Sequence, residues 1–307
     1  MGLFSAPVTL PAFAAAPANA LLRRLLTPEG AEPTDFSQPK GAPSLIPPDS
    51  VSWRVFKNPV SVFIGGVAAV ILELGEPRVR EGVWRHSSFR DQPAHRLTRT
   101  GLAAMLTIYG PRAAAEQMIA GVARMHGRVN GLTPAGEPYS ASDPELLDWV
   151  QGTAGYGFIG AYHRYVRPLG AAQRDRAHAE AAPAAALYGA HGAPKTEAEL
   201  QALFARFEPR LERSDIVFEF LSLMQAAQIL PAPLRPLQRL MVRGAVAMTP
   251  DWARRRLGLG PEWDLGAAQR GMLKRLGAAA DRLVLTAHPA VQASRRLGLP
   301  DDYVYRP

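Results

Sequence analysis

The chain has no cysteine among its 307 residues, which excludes disulfides, thiolate metal sites and cysteine nucleophiles. Any metal bound here must be held by histidine, aspartate or glutamate. Aromatic residues make up only 8%, and nowhere does the sequence sustain the apolar–polar alternation that half-buried strands require. Long apolar runs are scarce too. The most apolar segment, "VSVFIGGVAAVILEL" from Val60 to Leu74, covers about 15 residues where a bilayer span needs roughly 20, so it reads as a buried core helix. No histidine pair has metalloprotease spacing, "GTAGYGFIG" at 152–160 lacks a preceding strand and a P-loop lysine, and "GLFSAP" is not a nucleophile elbow.

What is present is a large apolar complement, 47% of the chain, enough for one extensive core. Net charge is +8 and the pI about 10.1, but the arginines are scattered through Ala-rich segments and no nucleic-acid recognition motif accompanies them. A nucleic-acid partner is therefore not expected, while the charge leaves room for peripheral contact with an anionic membrane. Near the start, Ala18-Asn19-Ala20 resembles a signal-peptidase site, yet no basic segment precedes it and prolines interrupt the apolar stretch. Ala6 stands where myristoylation needs serine or threonine. These features predict a cytoplasmic protein.

Residues 1–50, rich in proline, read as an irregular arm with at most one short helix around "ANALLRRLL", wrapped on a helical domain at 51–307. Periodicity and punctuation by Gly and Pro predict helices at 59–74, 76–85, 94–108, 112–128, 143–166, 170–180, 196–207, 212–227, 233–247, 250–257, 264–279 and 280–286. The fold class is all-α. Between two strong helices lies one polar loop, "RVNGLTPAGEPYSAS".

Several residues could carry chemistry. His126 shares a helix face with Ala115, Met118, Ile119, Val122 and Val129, so its imidazole points inward, either as a hydrogen-bonded core residue or as a ligand. On the preceding helix Arg96, Arg99 and Thr100 stand at i, i+3 and i+4, ahead of Ala103 and Thr107, opposite a greasy side of Leu102, Met105, Leu106 and Tyr109. That stripe is either a solvated basic face or a wall with room for an anionic or polar ligand. His86, Ser87 and Phe89 read as a packed lid, in which His86 is a base, a second ligand or a structural cap. His95, His163, His178, His191 and His288 form no short-spaced pair. Glu73, Glu76 and Glu81 read as ordinary solvent-facing charges, Asp143, Glu145 and Asp148 as charges that complement a helix N-terminus, and the glycines of 152–160 as room for close helix packing or a planar ligand.

Taken in order, "HSSFRDQPAHRLTRTG", "VARMHGRVNG", "GEPYSASDPELLDWV" and "LPAPLRPLQRLMVRG" resemble the family of the latex-clearing rubber oxygenases and the fungal mycophenolic-acid-pathway oxygenase, over about residues 50–260. The most specific element is Arg-x-x-(basic)-Thr followed one helix later by His-x-x-Val-x-Gly. The resemblance implies a globin-like helical core holding haem b, with His126 as the proximal iron ligand. It also implies that Arg96, Arg99 and Thr100 line the distal side, where they polarise bound dioxygen or fix the haem through a propionate. The implied activity is oxygenation of a carbon–carbon double bond in a hydrophobic small molecule, a terpenoid or another unsaturated lipid. The alternatives are a non-catalytic haem or lipid carrier, or a helical protein with no cofactor. Two positions depart from the pattern: Arg99 replaces a lysine that can bind iron, and a guanidinium is a poor ligand. Gln151 replaces a histidine after "WV".

Overall fold

The computed structural model describes residues 6–306. In chain order these form β1 (Val8–Thr9), α1 (Ala12–Leu26), α2 (Val51–Phe56), α3 (Pro59–Gly75), α4 (Pro77–His86), α5 (Pro93–Tyr109) and α6 (Arg112–His126). After these come β2 (Asn130–Leu132), β3 (Pro138–Ser140), α7 (Pro144–Tyr165), α8 (Ala171–Leu187), α9 (Glu197–Phe207), α10 (Asp215–Ala226), α11 (Arg235–Met248), α12 (Asp251–Leu257), α13 (Ala267–Ala280), β4 (Leu283–Val284) and α14 (Pro289–Arg296). The chain is a single all-α domain, its strands confined to two small pairs.

At the centre α3 lies against α7, the most extensive helix contact in the molecule. Asn58 starts α3 by accepting from the amides of Val60 and Ser61, both at 3.1 Å, with Pro59 in the first turn, where a missing N–H costs nothing. The helix that follows is almost wholly apolar and is buried for that reason. Two glycines bring the backbones together: a Cβ on Gly65 would come within 2.6 Å of the Gly157 carbonyl oxygen. Replacing Gly157 with alanine is expected to force the pair apart and cost about 3 kcal/mol, read as a lower denaturant midpoint in urea unfolding. The glycines of 152–160 thus serve close packing at this crossing. No single helix among the described residues is long and apolar enough to cross a membrane; α3 and α4, which together pass by length and composition, are bent by 112°.

Several sequence expectations differ from the structure. The polar loop after α6 pairs as a β-hairpin, Asn130 opposite Ser140 and Leu132 opposite Pro138. The segment expected to be helical at 280–286 contains β4, which pairs in parallel with β1 of the arm, Val8 beside Leu283. The arm also carries the full helix α1, which absorbs Pro17 near its start. Finally, α2 and α14 were not anticipated: α2 spans six residues, too few to show a period, and α14 is capped by His288, whose Nδ1 accepts from the Ala290 amide at 3.0 Å.

The two terminal segments grip one another through Arg296. Its guanidinium, almost fully buried, donates to the carbonyls of Phe36 (2.6 Å), Ala42 (3.0 Å) and Tyr109 (2.6 Å) and to Ser44 Oγ (2.6 Å). Burial pulls its pKa down to about 10, leaving it cationic at neutral pH. Because Tyr109 ends α5, this clamp fixes the α5–α6 turn to the arm, and the Arg112 amide adds a bond to the Pro43 carbonyl at 2.8 Å. Truncating Arg296 to alanine removes four hydrogen bonds that join the arm to α5 and α14, with an expected loss of about 3 kcal/mol in thermal unfolding.

Candidate functional site

The hairpin α5–α6 is secured at its turn, and beyond that turn it packs on itself, α1, α2, α8 and α14 while meeting α3 and α7 only glancingly. Its far end therefore stands beside the central helix pair rather than on it. Arg96, in the first turns of α5, and His126, the last residue of α6, are brought together there. Facing them from α3 is Glu73, with Thr153 of α7 behind it at 3.4 Å from Glu73 Oε1.

The electrostatics show what kind of space this is. Burial pushes the Glu73 carboxyl up to about 7, against opposing pulls from the Thr153 hydroxyl and the Arg96 charge. Burial also holds the Arg96 guanidinium below its ordinary range, with Glu73 acting in the other direction, and lowers His126, to which the charge of Arg96 adds. These groups are desolvated enough to shift, yet Glu73, Arg96 and His126 each keep some surface within reach of water. That combination belongs to groups in a partly buried seam between packed helix ends, called the cleft below.

His126 is the least satisfied group in the cleft. Its Nδ1 is buried and has no hydrogen-bond partner among the described residues. A buried ring nitrogen in that state costs free energy unless something binds it, and a lowered pKa keeps the ring in the neutral form that ligates metals. Among the described residues no three His, Asp or Glu side chains gather into a metal-holding group, so a metal at this histidine would bring its other ligands with it.

The remaining candidate residues fall as follows. Thr100 and Arg99 are exposed; Thr100 Oγ1 donates to the Arg96 carbonyl at 2.9 Å and accepts from the Arg96 guanidinium, so it orients that side chain. His86 ends α4 and meets the hydroxyl of Tyr139 at 3.1 Å, pinning the β2–β3 hairpin that follows His126. Phe89 joins the core against Phe220, with ring centroids 5.2 Å apart. His95 carries a second buried, unpartnered Nδ1.

The three glutamates read as solvent-facing charges are not so. Glu76 and Glu81 are buried, the former accepting from the Val79 amide at 2.9 Å as the cap of α4, and Glu73 faces the cleft. A signal for Glu73 was present: it is the single carboxylate inside a helix too apolar to have a wet face. Thr153 left no such trace. A pocket of about 520 Å³ lies elsewhere, lined by Glu76, Arg78, Arg80, Glu137, Arg210 and Glu212. Its charges satisfy one another, as in Arg78–Glu76 at 2.8 Å and Arg80–Glu212 at 2.5 Å, and it offers no unmet group.

Nothing among curated proteins and nothing among solved structures matches the chain. The family model described as ER-bound oxygenase mpaB/B′/Rubber oxygenase, catalytic domain, matches residues 53–282, a span that holds α3, the whole α5–α6 hairpin and α7. With well over half its length matched, the chain belongs to the mpaB/rubber oxygenase family and carries that family's oxygenase catalytic domain.

Proposed function

We propose that this oxygenase is haem b-dependent and oxidises a carbon–carbon double bond of a hydrophobic small molecule, a terpenoid or another unsaturated lipid. The observation that supports this most is the buried, unpartnered Nδ1 of a neutral His126 at the edge of a cleft. The residues present fit the group. One imidazole suits an iron whose in-plane ligands come from a tetrapyrrole, and the arginine beside it offers a cation for a propionate.

Bound there, haem b would supply the redox-active iron at which dioxygen is activated for attack on the double bond. His126 would be the protein ligand to that iron. Arg96, braced by Thr100, presents a fixed positive charge toward the cleft, where it pairs with a propionate or donates to a polar ligand; aimed donors of this kind are typically worth about 100-fold in rate. Arg99, exposed on α5, is a guanidinium and a poor iron ligand, so any part it plays is through charge. Glu73 is close to half-protonated near pH 7, which lets its carboxyl either give or take a proton inside the cleft.

Oxygen uptake by haem-loaded protein tests the reading. Uptake is expected with an unsaturated isoprenoid such as β-farnesene and not with its saturated counterpart. A haem spectrum without any oxygen consumption across a panel of alkenes would instead establish a carrier.

A further inference from the structure

The pattern His-x-x-Val-x-Gly ends in two residues, Val129 and Gly131, that the chemistry above does not use. Both lie where the last turn of α6 runs into the β2–β3 hairpin. The Val129 amide donates to the His126 carbonyl at 2.9 Å, and the Ala141 amide donates to the Val129 carbonyl at 2.9 Å, so the hairpin is bonded straight back to the residue that carries the imidazole. The strand pairs from Asn130–Ser140 to Leu132–Pro138 continue the ladder. Wherever the hairpin is seated, the end of α6 follows.

The seat is the ring of Tyr139, the single buried residue in the two strands. It crosses over Gly131, where a Cβ would come within 2.7 Å of the Tyr139 hydroxyl oxygen and 2.9 Å of the ring carbon that bears it, closer than a packed methyl can stand. On its other side the ring meets α4, 3.8 Å from the place a Cβ of Gly82 would take, and Val129 Cγ1 reaches the same place at 3.9 Å. The hydroxyl meets His86 Nε2 at 3.1 Å, at the end of α4. Glycine at 131 thus makes the space, tyrosine fills it, and valine packs beside it.

Helix α4 ties this seat to the other wall of the cleft. It leaves α3 at a bend of 112° and is capped by Glu76, three residues after Glu73. Because α5–α6 meets α3 and α7 only glancingly, the joint between hairpin and α4 links the end of α3 that carries Glu73 to the end of α6 that carries His126. A wedge in that joint sets how the imidazole stands relative to the carboxyl.

We infer that Tyr139 is a positioning residue: its ring, wedged between Gly131 and α4, holds the His126 imidazole in the place from which it ligates iron. The ligation rests on the haem reading, whereas the placement of the imidazole does not. The ring carries the effect rather than the hydroxyl, since His86 is exposed and water replaces its bond at little cost.

Hemin titration and resonance Raman spectroscopy of the reduced, dioxygen-free protein separate this from a merely structural role. Tyr139→Leu should weaken hemin binding about tenfold and shift the iron–imidazole stretch, as loss of a group that orients a metal ligand does. Tyr139→Phe keeps the ring and should restore both. Gly131→Ala, which displaces the ring with the tyrosine in place, should match Tyr139→Leu and stands in for it if that variant does not fold. Leu273→Ala opens a cavity in the core beneath α13 and lowers stability, yet should leave affinity and stretch unchanged. Wild-type affinity and stretch in Tyr139→Leu and Gly131→Ala, a Tyr139→Phe as defective as Tyr139→Leu, or equal changes in Leu273→Ala would each overturn the inference. The haem-free protein labelled with nitrogen-15 histidine gives a second readout: the His126 ring resonance, assigned by its loss in His126→Ala, should move in Tyr139→Leu and stay in Tyr139→Phe and Leu273→Ala. If wild type binds no haem, the haem reading falls and this resonance alone decides, an unmoved signal in Tyr139→Leu overturning the positioning role.

Discussion

Replacing His126 with alanine is expected to abolish the haem retention that the proposed function requires. The side chain supplies one neutral imidazole at the end of α6, its Nδ1 is unpartnered, and no group of three other ligating side chains is available among the described residues to replace it. Loss of the axial donor should weaken haem affinity by at least ~100-fold, equivalent to about 3 kcal/mol. Titration with hemin, scored by the pyridine haemochromogen, measures it. The substitution is not expected to disturb folding, because His126 is only half-buried and lies on the cleft wall outside the hydrophobic core. A variant with native far-UV circular dichroism and full haem content would remove His126 from the ligand role.

The second large effect is at Glu73. Exchange for glutamine keeps the shape and removes the proton exchange, with an expected loss of about 100-fold in turnover. The wild-type rate should show an inflection near pH 7 that is absent from Glu73→Gln. Stability supplies an independent readout with a definite sign. The folded pKa of about 7 lies above the ordinary 4.5, so between those values the folded state binds more protons than the unfolded one. Stability contributed by neutral Glu73 is complete at low pH, declines as pH rises through that window, and is lost above it. The ionised carboxylate then costs up to ~3 kcal/mol, less whatever water reaching the cleft recovers. Relative to Glu73→Gln, wild type should therefore lose thermal stability between about pH 5 and pH 8. A flat difference across that range would place Glu73 in contact with bulk solvent.

Both predictions concern residues that the sequence shows very unequally. His126 and Arg96 stand on strongly periodic helices, and periodicity reports which side of a helix faces inward, so their inward placement follows from pattern while their approach to one another does not. The long helices were legible for the same reason: α3, α5 and α7 each begin with a proline in the first turn and end within a residue or two of the expected boundary. Glu73 was misread because a charge near a helix end is usually wet. Its place as the lone carboxylate of an apolar helix was the hint, and the packing of α7 across the Gly65–Gly157 contact decides that this one is not.

The end of α8 was not legible either: the helix runs seven residues beyond the expected stop at 180, through Pro183. The terminal segments were illegible for a related reason. Short strands such as β1 and β4 have no period of their own and exist because a partner distant in sequence lies beside them. Arg296 is a further case: nothing in "ASRRLG" distinguishes the buried guanidinium that clamps the arm from its exposed neighbour Arg295, which pairs with Asp301 at 2.6 Å.

The central claim is a bond between the His126 ring and the iron of a haem in this cleft, and resonance Raman spectroscopy of the reduced, dioxygen-free protein observes that bond directly. An iron–imidazole stretch that shifts on labelling histidine with nitrogen-15, and that vanishes in His126→Ala, is the predicted result. Haem bound with no label-sensitive stretch, or a stretch that persists unchanged in His126→Ala, would contradict it.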